Sequence, residues 1–165
     1  MSEAQPIRLN VNAAIVRDDE LLLIEFRDEN GVHFNLPGGG LDSGESVEEG
    51  LKRECREEAS VEVTVERLLL VWEYVPQKEN FKYGSRQKVG LVFLCRLKEN
   101  STPKLPERPD KNQTGVRWIK LSELTSVPTP PRPPIFPTIE RPLLEALNAA
   151  GGPTRVWSEG KVEQQ

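Results

Sequence analysis

Hydrophobic and polar residues alternate along the first part of the chain, as they do in β-strands. Residues 7–28, IRLNVNAAIVRDDELLLIEFRD, predict two strands joined by a tight turn at Asp18-Asp19. The next residues, ENGVHFN, contain a second turn signal at Asn30-Gly31. Three consecutive glycines at positions 38–40 then predict a glycine-rich loop.

A helix is predicted directly after this loop. Ser46 is a good N-cap residue, and Glu49 three positions later completes a capping box, in which side chains and backbone N–H groups bond reciprocally. The helical pattern ends at about Glu58 or Ala59.

The rest of the chain predicts three more strands and two more helices. Residues 60–75 and 88–97 contain long apolar runs, which are typical of strands in a covered sheet, and residues 116–121 predict a short strand. Residues 121–124 predict the start of a short helix, and residues 138–150 predict a final helix. This irregular order of strands and helices predicts an α+β fold, with a mixed sheet and helices on both faces.

Polar and proline-rich segments separate these elements. Residues 77–87 and 99–115 predict loops. Residues 128–137 cannot form a regular helix or sheet, because proline lacks the N–H donor and fixes φ. They are either a stiff connection packed on its own domain or a ligand for a partner domain. We expect one domain over residues 1–150, followed by a flexible C-terminal tail over 151–165.

Composition narrows the class of protein. The 165 residues fit one domain, and the net charge of −4 argues against nonspecific binding to duplex nucleic acid, which depends on phosphate neutralisation. The N-terminus lacks an apolar signal region, and no stretch is long and apolar enough to span a bilayer. We therefore expect a cytoplasmic protein with no membrane partner. Its two cysteines, Cys55 and Cys95, predict buried free thiols.

The charges on the predicted helix depart from the usual amphipathic arrangement. On a helical wheel at about 100° per residue, Glu54 and Glu58 fall inside the apolar arc between Gly50 and Cys55, and Glu57 lies at its edge. Carboxylates that converge in this way repel one another, and burial increases the cost.

Two arrangements would neutralise these carboxylates. One is a set of partial salt bridges to Arg53, Arg56 or a cation elsewhere in the chain. The other is a divalent cation, for which carboxylate oxygens are suitable ligands and which the i, i+3, i+4 spacing would allow all three side chains to reach. The spacing of the three glutamates favours neutralisation by a metal ion over neutralisation by salt bridges.

The same segment resembles the Nudix box, which reads Gly-x5-Glu-x7-Arg-Glu-U-x-Glu-Glu-x-Gly-U, where U is a bulky aliphatic residue. The matching positions are Gly39, Glu45, residues 53–58 and Val61. Two positions differ from the box. Ser60 stands where the family has the glycine that ends the helix in the left-handed conformation, and Cys55 stands at an aliphatic position.

The resemblance implies an α/β/α sandwich and the hydrolysis, with Mg²⁺ or Mn²⁺, of a nucleoside diphosphate linked to another group. Carried over to this sequence, Glu54, Glu57 and Glu58 would bind the metal together with the Gly38 carbonyl. Glu54 is also the first candidate to deprotonate the attacking water, and Arg53 joins Glu54 and Glu57 in the implied catalytic set.

Gly39 and Glu45 would support the box, with Glu45 paired to Arg53. Outside the box, members of the family often use an acidic or amide residue from the loop before the last strand. That loop offers Asp110, Asn112 and Gln113, which an ordinary polar loop explains equally well.

The predicted loop 77–87 carries cations that could hold phosphates and aromatic rings that could stack on a base. The candidate substrate-binding residues are Phe81, Lys82, Tyr83 and Arg86, with Lys78 and Lys88 nearby. A solvated hairpin is the alternative interpretation of the same residues.

The substrate hypothesis rests on Pro76, which lies 15 residues after Val61, where ADP-ribose-cleaving members of the family often carry proline. We therefore expect a small nucleotide diphosphate substrate, with ADP-ribose first. The alternatives are a pyrophosphatase for oxidised nucleoside triphosphates and a noncatalytic domain that senses a nucleotide or binds a partner. His33, the only histidine, is given no role, and a homodimer is left open.

Overall fold

The computed structural model describes residues 5–124 and 133–149, together with the backbone of residues 155–158. Within these residues the chain forms eight strands, which are β1 (Arg8–Arg17), β2 (Glu20–Asp28), β3 (Gly31–Asn35), β4 (Gly38–Gly40), β5 (Val63–Tyr74), β6 (Lys88–Leu97), β7 (Gln113–Lys120) and β8 (Arg155–Ser158). The two α-helices described are α1 (Val47–Ala59) and α2 (Glu140–Asn148). Short 3₁₀ helices span Pro76–Lys78 and Leu121–Leu124.

The strands form one mixed sheet in the order β3-β2-β1-β6-β5-β8, with β4 paired to β1 and β7 paired to β2. Strands β1 and β6 run parallel, as do β5 and β8, while the other pairs are antiparallel. The predicted mixed sheet is confirmed.

The two faces of the sheet are covered by different helices. On one face, Val11 and Ile15 of β1 pack in a buried cluster with Leu51 and Cys55 of α1. The second cluster contains Leu143 of α2, together with core residues of the opposite face such as Ala14, Leu21 and Leu70. This three-layer arrangement confirms the α/β/α sandwich.

Several local predictions are also confirmed. Asp18 and Asp19 both have positive φ, 51° and 61°, as a two-residue turn between antiparallel strands requires. Cys55 and Cys95 are buried free thiols. In the part of the chain that the structure describes, no helix is long and apolar enough to cross a membrane.

Three features differ from the predictions. The glycines at 38–40 are not a loop but the short strand β4, because their backbone pairs with residues 10–12 of β1. Strand β7 begins earlier than expected, at Gln113, because its first residues extend the pairing with β2. Within the predicted tail, residues 155–158 form strand β8, which pairs with residues 70–73 of β5, and the other tail residues lie outside the described ranges.

The proline-rich segment is described only from residue 133 onward, and its earlier residues lie outside the described ranges. Its described end packs on the domain itself. The N–H of Phe34 donates to the Pro134 carbonyl at 2.8 Å, the N–H of Phe136 donates to the Phe34 carbonyl at 2.8 Å, and Ile135 is buried.

Candidate active site

Helix α1 is fixed at both ends by its own sequence. At the start, the Ser46 hydroxyl accepts a hydrogen bond from the Glu49 N–H, and the Glu49 carboxylate accepts one from the Ser46 N–H, so the capping box is confirmed. At the end, Ser60 adopts the left-handed conformation, with φ 57° and ψ 34°. Its N–H donates to the Arg56 carbonyl at 3.1 Å, which closes the last turn.

Arg53 connects the helix to the segments before it. Its Nε and Nη2 donate to the two oxygens of Glu45, at 3.1 and 2.7 Å, and Nη2 also donates to the Gly40 carbonyl at 3.2 Å. On the other side, Nη1 donates to Glu54 at 2.8 Å and to Glu57 at 3.1 Å. The paired guanidinium lowers the pKa of Glu45 to about 2, which keeps this carboxylate ionised.

The three box carboxylates have different surroundings. Glu54 and Glu58 are buried, as the helical wheel predicts, whereas the Glu57 side chain is 56% exposed. Arg53 forms ion pairs with both Glu54 and Glu57, whereas Arg56 pairs with Glu62. Salt bridges therefore offset the negative charge of two of the three carboxylates.

Glu58 is the carboxylate that salt bridges do not explain. Among the described residues no cation lies within ion-pair distance of it, and its carboxylate accepts a hydrogen bond from the N–H of Gly38, at 2.8 Å from Oε2. Burial raises the pKa of Glu58 to about 8, and the negative charges of Glu54 and Asp110 act in the same direction. Burial also raises the pKa of Glu54, against the opposing effect of Arg53.

Strand β4 brings the backbone close to these carboxylates. A Cβ at Gly39 would lie 2.6 Å from Oε1 of Glu54, so a larger residue would displace the carboxylate. Gly38 has φ 150°, in the region that favours glycine, and this orients its N–H toward Glu58. The glycines therefore allow a backbone strand to lie directly against a carboxylate helix.

The loop before β7 also reaches this region. The side chain of Gln113 is buried, and its Nε2 donates to the Glu58 carbonyl at 2.7 Å, so it fastens the end of α1 rather than facing the carboxylates. Asp110 contributes negative charge that raises the pKa of both Glu54 and Glu58. Asn112 is a turn residue, with φ 69°.

The donor chemistry of these residues determines whether a divalent cation fits the site. Among the described residues, no group of three acidic, histidine or cysteine side chains lies close enough to hold a metal ion, and Glu54 and Glu57 are instead paired with Arg53. The available donors are carboxylate and backbone oxygens, which hard divalent cations prefer. Glu58 is buried without a cationic partner, and its raised pKa favours the protonated form in the metal-free fold. A divalent cation beside it would stabilise the ionised carboxylate, so the residues fit.

A cleft of about 230 Å³ is lined in part by Gly38. Its walls are Asn10 and Asn12 of β1, His33 and Asn35 of β3, Trp72 and Tyr74 of β5, Tyr83, Lys88, Phe136 and Pro137. Gly38 lines the cleft and donates to Glu58, so the cleft and the carboxylate helix meet at one residue.

The structure separates the predicted substrate-binding residues into two groups. Tyr83 lines the cleft, and Lys82 lies over its ring, with Nζ 4.9 Å from the centroid. Phe81 is not part of the cleft wall and is 54% exposed. Arg86 is also absent from the wall, and its Nε donates to the Pro6 carbonyl at 3.1 Å. Pro76 is buried at the first position of a 3₁₀ helix, again off the cleft.

The sequence analysis missed most of the cleft. One sequence signal could have revealed the cleft. Arg8, Asn10 and Asn12 alternate with apolar residues on β1, which is a central strand with neighbours on both edges. Amides at the inward positions of a central strand are unusual in a core and indicate a polar site. His33, given no role from the sequence, packs against Phe136 with ring centroids 5.0 Å apart and forms part of the wall.

Comparisons with known proteins give a consistent result. The family model described as the NUDIX domain matches residues 6–141. A MutT-like protein from Streptomyces ambofaciens is 32% identical over 117 residues, which is 71% of this chain and 66% of that protein. The 8-oxo-dGDP phosphatase NUDT18 from Homo sapiens is 30% identical over 135 residues, which is 77% of this chain and 38% of that protein.

Among solved structures, an ADP-ribose pyrophosphatase from Streptococcus suis superposes with a TM-score of 0.63 at 23% identity, covering 92% of this chain and 99% of that one. At this identity the similarity concerns the fold alone. The chain spans less than two thirds of the length of the two relatives above, 66% and 38%.

Proposed function

The chain belongs to the Nudix hydrolase family, and on this premise we propose that it hydrolyses the diphosphate linkage of a small nucleotide with the help of Mg²⁺ or Mn²⁺. The observation that carries the proposal is Glu58. A carboxylate buried without a cationic partner, beside a second buried carboxylate, destabilises the ligand-free fold. A divalent cation bound beside Glu58 would offset this cost.

The residues proposed to hold the ion are Glu54, Glu57, Glu58 and the carbonyl of Gly38. When bound, a divalent cation lowers the pKa of a coordinated water and offsets the charge that develops on the leaving phosphate. The chain's own contribution is to place these oxygens on two rigid elements, α1 and β4, which are held together by the Gly38–Glu58 hydrogen bond.

Glu54 is proposed as the general base that accepts a proton from the attacking water. Its burial raises the pKa of the carboxyl, which makes the carboxylate a stronger base than an exposed glutamate. Arg53 donates to its Oε1 at 2.8 Å and so orients the carboxylate. Arg53 is thus a positioning residue, anchored by its two bonds to Glu45.

For the substrate, the cleft supports a nucleoside di- or triphosphate. Its volume of about 230 Å³ is below the range of about 300–1,000 Å³ usual for sites that enclose a whole drug-sized ligand, so it accommodates one ring system with the rest of the nucleotide outside. The name of one sequence relative, an 8-oxo-dGDP phosphatase, points the same way.

ADP-ribose remains a predicted substrate, and the substrate panel described below tests it. The sequence favours it through Pro76 and the following segment with Phe81, Lys82, Tyr83 and Arg86. Of these residues Tyr83 lines the cleft, whereas Pro76, Phe81 and Arg86 do not. A structural relative described as an ADP-ribose pyrophosphatase shares the fold at 23% identity, which gives no support for a particular substrate.

The test is a panel of ADP-ribose, 8-oxo-dGTP, 8-oxo-dGDP and unmodified nucleoside di- and triphosphates, each incubated with Mg²⁺. Products are separated by chromatography, and substrates are compared by kcat/KM, because this ratio reports differential transition-state binding. We expect nucleoside monophosphate to be released, with a di- or triphosphate as the best substrate. If ADP-ribose has the highest kcat/KM, the original prediction holds and our choice of substrate is wrong.

The same panel tests the noncatalytic alternative. A domain that only senses nucleotides would bind members of the panel without forming product. Suppose that calorimetry shows nucleotide binding but no member of the panel is turned over with Mg²⁺ or Mn²⁺. The sensor would then replace the hydrolase as the proposed function.

A further inference from the structure

Three residues of the cleft wall carry a polar atom without a hydrogen-bond partner. These atoms are Oδ1 of Asn10, Oδ1 of Asn35 and the hydroxyl of Tyr83, each shielded from solvent and without a partner among the described residues. All three belong to residues of the cleft wall. A buried polar group without a partner costs stability, and native proteins contain few of them.

The three groups come from separate parts of the fold, namely β1, β3 and the loop after β5. A strained loop therefore does not account for them. The neighbouring Asn12 shows the contrast, because its Oδ1 accepts a hydrogen bond from Trp72 at 3.1 Å and is satisfied within the protein. A ligand with several hydrogen-bonding groups would supply the missing partners.

Lys88 adds a positive charge to the same wall. Its ammonium donates to the Tyr83 carbonyl at 3.3 Å and lies 5.6 Å from the centroid of the Tyr74 ring. Among the described residues no carboxylate pairs with it, and its partner across the β1–β6 ladder is another cation, Arg8. A lysine ammonium has three donors and no acceptor, so a ligand here must offer it an acceptor.

Aromatic residues give the cleft the shape of a stacking site. The rings of Tyr83 and Phe136 lie 4.8 Å apart, and those of Tyr83 and Tyr74 lie 5.6 Å apart. These rings are tilted by 56° and 61° and pack against one another, so a planar base would stack on the open face of this aromatic wall rather than between the rings. Because Gly38 lines the cleft and bonds to Glu58, a ring in the cleft would leave its phosphates on the side of the carboxylate helix.

We propose that this cleft holds the base of the nucleotide, and that Lys88 selects a base with a ring oxo group, such as guanine or hypoxanthine, over adenine. This inference rests on the proposed function and names the substrate class within it. An asparagine amide carries a donor and an acceptor side by side and can pair with either kind of purine. Lys88 only donates, so it pairs with the oxo group of guanine or hypoxanthine and opposes the amino group of adenine.

The experiment measures binding of IMP and AMP by calorimetry in EDTA, so that it depends on neither metal nor turnover. These two ligands differ at one edge of the base, where IMP has an oxo group and a ring N–H and AMP has an amino group. We expect IMP to bind about tenfold more tightly than AMP. Lys88→Met should remove that preference by weakening IMP while leaving AMP unchanged.

Two further variants control for structural effects. Lys88→Arg should keep the preference, because arginine also donates to an oxo group. Lys104→Met removes an exposed lysine outside the cleft and should change neither affinity. Thermal melts of each variant confirm that the comparison is made on folded protein.

Equal or tighter binding of AMP by the natural protein overturns the inference, as does a preference that survives in Lys88→Met. Binding of neither ligand at millimolar concentration also overturns it, since the cleft would then not be a base site. These results are independent of hydrolysis. Turnover of the panel without base preference would leave the proposed function standing, whereas base-selective binding without turnover would leave the inference standing and remove the hydrolase.

Discussion

The indole N–H of Trp72 donates a hydrogen bond of 3.1 Å to Oδ1 of Asn12, although β6 lies between their two strands. The bond is made possible by Gly90 of β6, which pairs with Trp72 in the ladder. A Cβ at position 90 would overlap the indole ring. Because that position carries no side chain, the ring crosses the strand and fixes Asn12 in the floor of the cleft.

Trp72→Phe should lower the free energy of unfolding, because it leaves the amide oxygen of Asn12 without a hydrogen-bond donor. This effect should cost about 1–3 kcal/mol, in addition to the loss of packing. Urea denaturation measures the change. Trp118→Phe is the matched control, because the described contact of Trp118 is with the Arg17 guanidinium 4.3 Å above its ring, not a buried hydrogen bond. Equal losses in the two variants would contradict the importance of the Trp72–Asn12 bond.

Glu57→Gln should reduce hydrolysis by at least ~100-fold while the fold is retained, because charge that stabilises the transition state is lost from the proposed metal site. Steady-state rates at saturating Mg²⁺ measure the effect. Glu48→Gln changes an exposed glutamate on the same helix, paired with Lys52, and should leave the rate unchanged. A Glu57→Gln enzyme as active as the natural protein would remove Glu57 from the catalytic set.

The metal-free protein should lose stability as the pH rises from about 5 to 8. Burial raises the pKa of Glu58 to about 8, whereas a glutamate in the unfolded chain titrates near 4.3. Between these values the folded state holds a proton that the unfolded state has released. Its stabilising effect is therefore complete below the unfolded pKa and disappears as the pH passes through the folded pKa. The raised pKa of Glu54 acts in the same direction.

Thermal melts in EDTA at several pH values measure this dependence. Glu58→Gln should flatten the profile, since a neutral amide replaces the titrating group in the same buried position. A natural protein whose melting temperature stays constant over this range would show that Glu58 is already ionised in the fold.

Added Mg²⁺ should raise the melting temperature, because a ligand that binds only the native state stabilises it. Glu58→Ala should reduce this rise, whereas Glu62→Ala, which removes an exposed glutamate paired with Arg56, should not. Scans with and without millimolar Mg²⁺ give the comparison. The absence of any shift in the natural protein would favour neutralisation by protons and salt bridges alone.

Ser60→Gly should leave stability unchanged or raise it by up to ~1 kcal/mol. Ser60 has φ 57°, which glycine adopts without strain, while the greater freedom of glycine in the unfolded chain opposes the gain. Denaturant melts measure the difference. A clear loss of stability would show that the serine hydroxyl contributes more than its backbone conformation costs.

The helix and its ends could be predicted from the sequence because local rules determine them. Ser46 and Glu49 form the capping box within four residues of chain, and the family pattern around Ser60 predicts the left-handed turn. The inward direction of Glu54 and Glu58 follows from helical periodicity alone. Each of these features depends on residues close together in sequence.

The cleft could not be predicted in this way, because its walls come from distant segments. Asn10 and Asn35 are brought together only by the sheet, and Phe136 joins them through the backbone pairing of residues 134–136 with Phe34. Three consecutive glycines predict a loop, whereas the pairing of β4 with β1 is a long-range property that glycine composition does not encode. Local patterns also carried no information on which face of the 77–87 segment would meet the cleft.

The hydrogen bonds of Arg53 have a consequence for the way a phosphate can be held. A guanidinium carries five N–H donors, and the one on Nε, the two on Nη1 and the two on Nη2 are matched by five acceptor contacts in this structure. The group is saturated, so a substrate oxygen could reach it only by displacing Glu45, Glu54, Glu57 or the Gly40 carbonyl. Lysine, with three donors on one atom, could not replace it.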